Sequence, residues 1–227
     1  MTERRHVLIT GATRGIGRAI AEELAPHWHI LVGGRRREAV DQVVAQLPSA
    51  EPFVAELTDD DATLSAASGI GRLDALVHSA GITVLGNIAE LTRSDWRAQF
   101  ELNVVAVAEL TRLLLPRLRE ANGQVITINS GSGLRSAPGN GSYCASKHAL
   151  VAFTDALREE ERGRVRVTSI HPGRVDTDMQ IAIQAQLGHE YEPERYLAPR
   201  DVARTVALAL SMDPGANLDV VSVRPAR

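Results

Sequence analysis

Seven short apolar runs rich in β-branched residues punctuate the chain, at residues 6–10, 29–32, 51–55, 74–78, 124–129, 165–170 and 218–223. Stretches with apolar residues at helical spacing lie between them, such as RAIAEELA (18–25), EAVDQVVAQL (38–47) and the long SDWRAQFELNVVAVAELTRLLLPRLRE (94–120). Near-continuous apolar runs are the mark of strands buried on both faces. Parallel strands need long crossovers, which helices supply. The alternation therefore predicts an α/β fold: a doubly wound, mostly parallel sheet of about seven strands with helices on both faces. A chain of 227 residues fits one such domain, spanning 1–227. No linker, internal repeat or low-complexity segment interrupts it.

The first run breaks into GATRGIG and continues as a helix that stops near Pro26. A strand, a glycine turn and a helix start form an anion site, because the N–H groups of the first turn face outward. Gly11, Gly15 and Gly17 let a pyrophosphate approach the backbone, which makes the fold Rossmann-type. Their spacing is G-x-x-x-G-x-G rather than the commoner G-x-G-x-x-G, and a glycine-rich turn without ligand is the competing reading. The second run ends in Gly33-Gly34-Arg35-Arg36-Arg37. A carboxylate at that point would hold the ribose hydroxyls of NAD. Arginine instead suits a 2′-phosphate through paired hydrogen bonds. Arg35, with Arg14 inside the glycine turn, points to NADP(H); Arg37 reads as the solvated start of the next helix.

Composition removes other classes. A net charge of -3 and 4% aromatic residues leave neither a basic patch nor a stacking surface for nucleic acid. One cysteine, Cys144, excludes an internal disulfide and a cysteine-rich metal site, and no metal is expected. No run reaches eighteen apolar residues, and MTERRHVLIT leads straight into glycines, unlike a signal peptide. A soluble cytoplasmic protein with no membrane partner is expected.

Ser130 follows the fifth run, Tyr143 stands thirteen positions later, and Lys147 four after that on a helical stretch. A spacing of four puts Tyr143 and Lys147 on one helix face. An ammonium beside a phenol favours the phenolate and is expected to lower the Tyr143 pKa from ~10. Ser130 can hold a carbonyl or alcohol oxygen against that phenol, so the set fits proton transfer at a C–O bond. A half-buried tyrosine beside a solvated lysine is the bland alternative. Asn103 is a polar amide within LNVVAVA, either relieving a kink or serving a site. His78 reads as a satisfied, partly buried histidine. Ser79-Ala80-Gly81 ends the fourth run as a crevice floor, Asp59 and the Thr92/Asp95 pair read as helix caps, and Pro172-Gly173 makes a turn after the sixth run. Residues 178–197, which include Gln184, His189, Glu190, Tyr191 and Tyr196, read as a substrate lid.

Taken together these segments resemble the short-chain dehydrogenases/reductases. TGATRGIG resembles that family's coenzyme turn, LDALVHSAG its strand ending N-N-A-G, and HPGRVDT its P-G-x-V-x-T segment. PRDVA is similar to a familiar helix start, and Asn103, Ser130, Tyr143 and Lys147 match the family tetrad in order and spacing. The resemblance implies Tyr143 as acid/base, Lys147 tuning it and binding the nicotinamide ribose, Ser130 orienting the substrate, and Asn103 holding a water. It implies Gly11, Thr13, Gly15, Ile16 and Gly17 around the pyrophosphate, Arg14 and Arg35 on the 2′-phosphate, and Glu56 and Leu57 beside the adenine. Ser79, Ala80 and Gly81, then Pro172, Gly173, Val175 and Thr177, complete the expected coenzyme contacts. The implied function is hydride transfer between NADP(H) and a small-molecule carbonyl or secondary alcohol, in a homodimer or homotetramer. A non-catalytic NADP(H)-binding regulator on the same fold is the alternative. His78-Ser79 for Asn-Asn and Glu56 for aspartate are departures from the pattern.

Overall fold

The computed structural model describes residues 4–226, so Met1–Glu3, part of the N-terminal stretch weighed above as a leader, and Arg227 lie outside it. One seven-stranded sheet runs β3-β2-β1-β4-β5-β6-β7, and all six pairings are parallel. The strands are β1 (Arg5–Ile9), β2 (Trp28–Gly34), β3 (Ala50–Val54), β4 (Ala75–His78), β5 (Gln124–Ile128), β6 (Arg166–Pro172) and β7 (Val220–Val223). The helices are α1 (Gly15–Leu24), α2 (Arg37–Val44), α3 (Asp60–Ser68), α4 (Arg93–Phe100), α5 (Ala106–Glu120), α6 (Gly141–Glu160), α7 (Asp178–Gln186) and α8 (Pro199–Ser211).

The period of two along each strand divides the core. Val7 and Ile9 of β1 face one way with Ile30, Val32, Val77 and Ile126, against α1, α2 and α8. Leu8 faces the other way with Leu31, Leu76, Val125 and Val167, against α3, α5 and α6. A shift of one residue in register would exchange the two sets. The edges are less apolar, as their exposure requires: β3 carries Pro52, and β7 is half-exposed along its length. The order reverses between β2 and β4 on either side of β1, and crevices in such sheets open beyond the carboxyl ends at that switch.

Several local expectations meet direct contacts. Asp59 Oδ1 accepts from Ala62 N at 2.9 Å, capping α3. Thr92 and Asp95 form a capping box, with Thr92 N donating to Asp95 Oδ2 at 2.8 Å. The long helix expected over 94–120 is divided: α4 and α5 are joined by a π turn, Glu101–Val105, which carries Asn103. The lid region holds α7 and a 3-10 turn, Pro193–Arg195. Its ends meet at a narrow neck, where Val175 pairs with Leu197, Leu197 N donates to Arg174 O at 2.9 Å, and Asp176 N donates to Leu197 O at 2.9 Å. Among the described residues no helix is long and apolar enough to cross a membrane, and no group of three histidine, cysteine or acidic side chains is placed to hold a metal ion.

His78 is more deeply buried than expected. It ends β4 at 3% exposure, and its Nε2 lies 2.8 Å from Thr111 Oγ1 on α5. Thr111 spends its own proton on Val107 O at 2.7 Å, so His78 Nε2 donates to it. Burial pushes the His78 pKa down to about 3. The unfolded chain takes up that proton near pH 6.5. Stability from this group is therefore complete above about pH 6.5 and is lost as pH falls toward 3. Urea unfolding across that range is expected to show falling stability, with up to ~1.4 kcal/mol per pH unit from His78 alone. The His78→Leu variant is expected to lose that share of the slope; an unchanged slope would refute the assignment.

Candidate active site

The crevice starts where β1 ends. Thr10 Oγ1 accepts from Ser79 N at 3.0 Å and Ala80 N at 3.1 Å, so one hydroxyl ties the ends of β1 and β4. Gly11 follows with φ of +66°, and a Cβ there would stand 3.0 Å from Ala80 N. A Cβ on Gly17 would stand 2.3 Å from Gly11 O, so the turn folds back on the first turn of α1 only because both residues are glycine. Arg14, at the N-cap of α1, supplies no side-chain cap. The first N–H groups of α1 are left to face the crevice.

Thr13, Arg14, Gly15 and Ile16 line this crevice with Gly11 and Gly17. Arg35, Glu56 and Leu57 line its far end, and Ser79, Ala80, Gly81 and Thr177 its near end. Asp178 and Met179, from the first turn of the lid helix, join the lining. A dinucleotide suits these walls: a glycine cradle that side chains would fill, an open helix N-terminus, and cations at one end. Arg35 Nη1 lies 3.7 Å from Glu56 Oε2, and Arg14 Nη1 lies 3.4 Å from Asp178 Oδ2; all four side chains are largely exposed. Exposed pairs are worth only ~0–1 kcal/mol, so a phosphate can displace either acid at little cost. Arg37 binds Asp41 one turn along α2 at 2.9 Å, as a solvated helix residue.

Past Gly81 the crevice meets a second set of side chains. The place a Gly81 Cβ would occupy is 3.1 Å from Asn103 Oδ1 and 3.9 Å from Lys147 Nζ. Asn103, 1% exposed, spans the gap: Oδ1 accepts from Ile82 N at 2.9 Å, and Nδ2 donates to Ile82 O at 2.9 Å and Ser146 Oγ at 3.1 Å. The amide lies in the π turn, but the backbone groups it secures are those of Ile82, beside the crevice, rather than those of the turn itself. Ser130 lies beyond the end of β5 in extended conformation and starts a short 3-10 turn, its Oγ accepting from Ser132 N at 3.1 Å. α6 presents Tyr143 and Lys147 one turn apart. Lys147 is buried, its Nζ donates to Ile128 O at 3.1 Å, and it stands 5.7 Å from the centre of the Tyr143 ring.

This placement corrects the expectation that Lys147 lowers the Tyr143 pKa. Burial raises the Tyr143 pKa, and the opposing pull comes from a hydrogen bond with Ser130 rather than from the ammonium. Lys147 is itself pushed down to about 8 by burial. A spacing of four fixes which face a side chain leaves from, not where a four-carbon stem ends; this one ends on the carbonyl of Ile128.

Of the remaining expected contacts, Thr177 alone lines the crevice. Pro172 ends β6, and Gly173 N donates to Val223 O at 2.7 Å. Val175 is buried in the core at the neck of the lid. In the lid, Gln184 and His189 bond each other at 3.1 Å, and Tyr191 Oη donates to Asp176 Oδ1 at 2.5 Å while stacking on Tyr196. Glu190 is exposed. Two structural contributors went unnoticed in the sequence. Thr10 had a signal, a hydroxyl at a strand end. His171 had only its place before Pro-Gly: 1% exposed, its Nδ1 donates to Ser130 O at 3.0 Å, so Nε2 accepts from Ser169 Oγ at 2.8 Å. Burial lowers its pKa, which keeps that neutral form in place.

The family model described as short chain dehydrogenase matches residues 5–188. An uncharacterised oxidoreductase of Staphylococcus epidermidis is 30% identical over 226 residues, covering 96% of each chain. Serine 3-dehydrogenase of Rhizobium radiobacter is 30% identical over 231 residues, covering 96% of this chain and 93% of its own. A solved structure of a variant actinorhodin polyketide ketoreductase with NADPH superposes with a TM-score of 0.90 at 26% identity, covering 98% of this chain and 96% of that one.

The backbone contact at Gly17 cannot give way as a side chain can. Gly17→Ala is expected to weaken nicotinamide nucleotide binding by at least ~100-fold in a fluorescence titration, with the far-ultraviolet circular dichroism retained. Wild-type affinity in that variant would show that the turn does not hold the dinucleotide.

Proposed function

The chain belongs to the short-chain dehydrogenase family of oxidoreductases, and on that premise we propose that it reduces a small carbonyl compound with NADPH, or oxidises the corresponding alcohol. The observation that carries this reading is the meeting of Ser130, Tyr143, Lys147 and Asn103 at the end of a crevice lined by the glycine turn and Arg35. Bound nicotinamide coenzyme supplies the hydride. Gly11, Thr13, Gly15, Ile16 and Gly17 hold its pyrophosphate side, Arg35 and Arg14 its 2′-phosphate, and Glu56 and Leu57 the adenine side. The ketoreductase with NADPH supports this choice of coenzyme.

Ser130 Oγ holds the substrate oxygen toward the Tyr143 hydroxyl. Because burial raises its pKa, Tyr143 carries its proton at neutral pH and is ready to give it to a carbonyl oxygen. Lys147, with a pKa of about 8, is mostly charged there and would bind the nicotinamide ribose. Positioning of hydride donor, carbonyl and phenol would supply much of the rate. Gln186 Nε2 donates to Leu85 O at 3.4 Å, a contact between the lid and the loop after β4. The lid then sets which carbonyl enters.

Proton donation by a placed side chain is worth ~10²–10⁴-fold. Tyr143→Phe is thus expected to lose at least ~100-fold in kcat while NADPH still binds; retained turnover sinks the mechanism. If the wild type binds NADPH and oxidises none of it over a panel of ketones, aldehydes, 3-oxoacyl thioesters and sugars, a coenzyme-binding regulator is the better reading. Charged hydrogen bonds contribute ~1.5–3 kcal/mol each. Arg35→Ala is expected to weaken NADPH by roughly 10–100-fold and NADH by less than about twofold. Equal wild-type affinities for the two coenzymes would overturn the assignment of Arg35.

A further inference from the structure

The first turn of α6 carries Tyr143, and its N-cap adds no side-chain bond to hold it. Asn140, at its N-cap, makes no side-chain cap, and its Oδ1 is buried without a hydrogen-bond partner. The turn is held from outside by Gln99, which is 0% exposed on α4. Gln99 Nε2 donates to Ser142 Oγ at 2.5 Å, and Gln99 Oε1 accepts from Val84 N at 2.6 Å. Ser142, also 0% exposed, donates to Val84 O at 3.4 Å and closes the loop of bonds.

One turn further along α6 the arrangement repeats. Asn103 takes the backbone of Ile82 with one side of its amide and Ser146 Oγ with the other, and Ser146 Oγ donates to Tyr143 O at 2.9 Å. Two amides on the α4–π segment thus grip two backbone positions of one loop and two serines of one helix. Each serine immediately precedes a side chain of the reacting pair, Tyr143 or Lys147. A plain core would place apolar residues at 99 and 142, and a fully satisfied buried network is the costlier but more directional choice.

We infer that Gln99 is a positioning residue for Tyr143: through Ser142 and Val84 it fixes the first turn of α6 so that the phenol stays against Ser130. Gln99 touches neither substrate nor coenzyme. The inference rests on Tyr143 as the acid/base for its consequence in turnover, though not for the geometry.

The test needs no substrate. Protein labelled with 3-fluorotyrosine has three tyrosines, and comparison with Tyr143→Phe assigns the 19F resonance of residue 143. Gln99→Leu leaves Val84 N without its acceptor and frees Ser142 on that side, so the turn loosens and more water reaches the partly exposed phenol. The Tyr143 titration is then expected to move down by on the order of one pH unit, since burial is what raises it. Ser142→Ala, a smaller change cutting the same bond, is expected to move it the same way and serves if Gln99→Leu does not fold. The two shifts are expected not to add in the double variant. NADPH affinity should stay within about twofold, and with any ketone the wild type reduces, kcat should fall about tenfold. A lower melting temperature with the Tyr143 titration unmoved, or additive shifts, would leave Gln99 a packing residue and refute the inference. A wild type that reduces no carbonyl would count against the proposed function alone, because the 19F shifts are read without turnover.

Discussion

A parallel sheet covered on both faces has no room for chemistry along its strands. Successive residues of β1 alternate between two apolar layers, and the polar side chains that β4 and β5 place there, such as His78 and Thr127, are spent on partners in the helices, Thr111 and Thr154. Chemistry is displaced to the carboxyl ends, where the ladder stops and backbone groups lose their partners. The polar side chains of the site first meet that need. Thr10 takes the N–H groups of Ser79 and Ala80, Asn103 the two polar groups of Ile82, and His171 the carbonyl of Ser130. The crevice is held in shape by the same groups that make the end of a buried sheet tolerable.

Electrostatics at the reacting end follow from the same burial. Tyr143, Lys147 and His171 all shift toward their neutral forms. For Tyr143 that means a retained proton, for His171 a fixed tautomer, and for Lys147 a charge held only moderately above neutrality. The arginines at the other end of the crevice are solvated, and each rests on a nearby acid that a stronger anion can replace.

What could be read from the sequence was what is local. The glycine turn, the Asp59 cap, the Thr92/Asp95 box and the seven strands depend on residues within a few positions, so pattern and chemistry coincide. The helix face shared by Tyr143 and Lys147 was also legible, because a helical spacing of four converts position into direction. The failures lie where direction depends on a distant partner. Lys147 was expected against the phenol and instead reaches Ile128 O, while Gln99 and Ser142, 43 residues apart, gave no joint signal at all. The break at Glu101–Val105 showed only through the polar Asn103, because an extra residue in one helical turn leaves the apolar rhythm almost intact.

The neck of the lid has a different kind of consequence. Twenty residues, 177–196, leave and return between Val175 and Leu197, which pair directly, while Asp176 closes the seam through Leu197 O. The closure entropy of such a loop grows only slowly with its length. Beyond Met179, the last of its residues to line the crevice, the excursion is therefore a replaceable cartridge: it can lengthen, shorten or change while the sheet, the glycine turn and the Tyr143 helix keep their places. Diversification of a lineage built on this plan would concentrate there, with new substrate ranges acquired by exchanging one segment and no refolding of the rest.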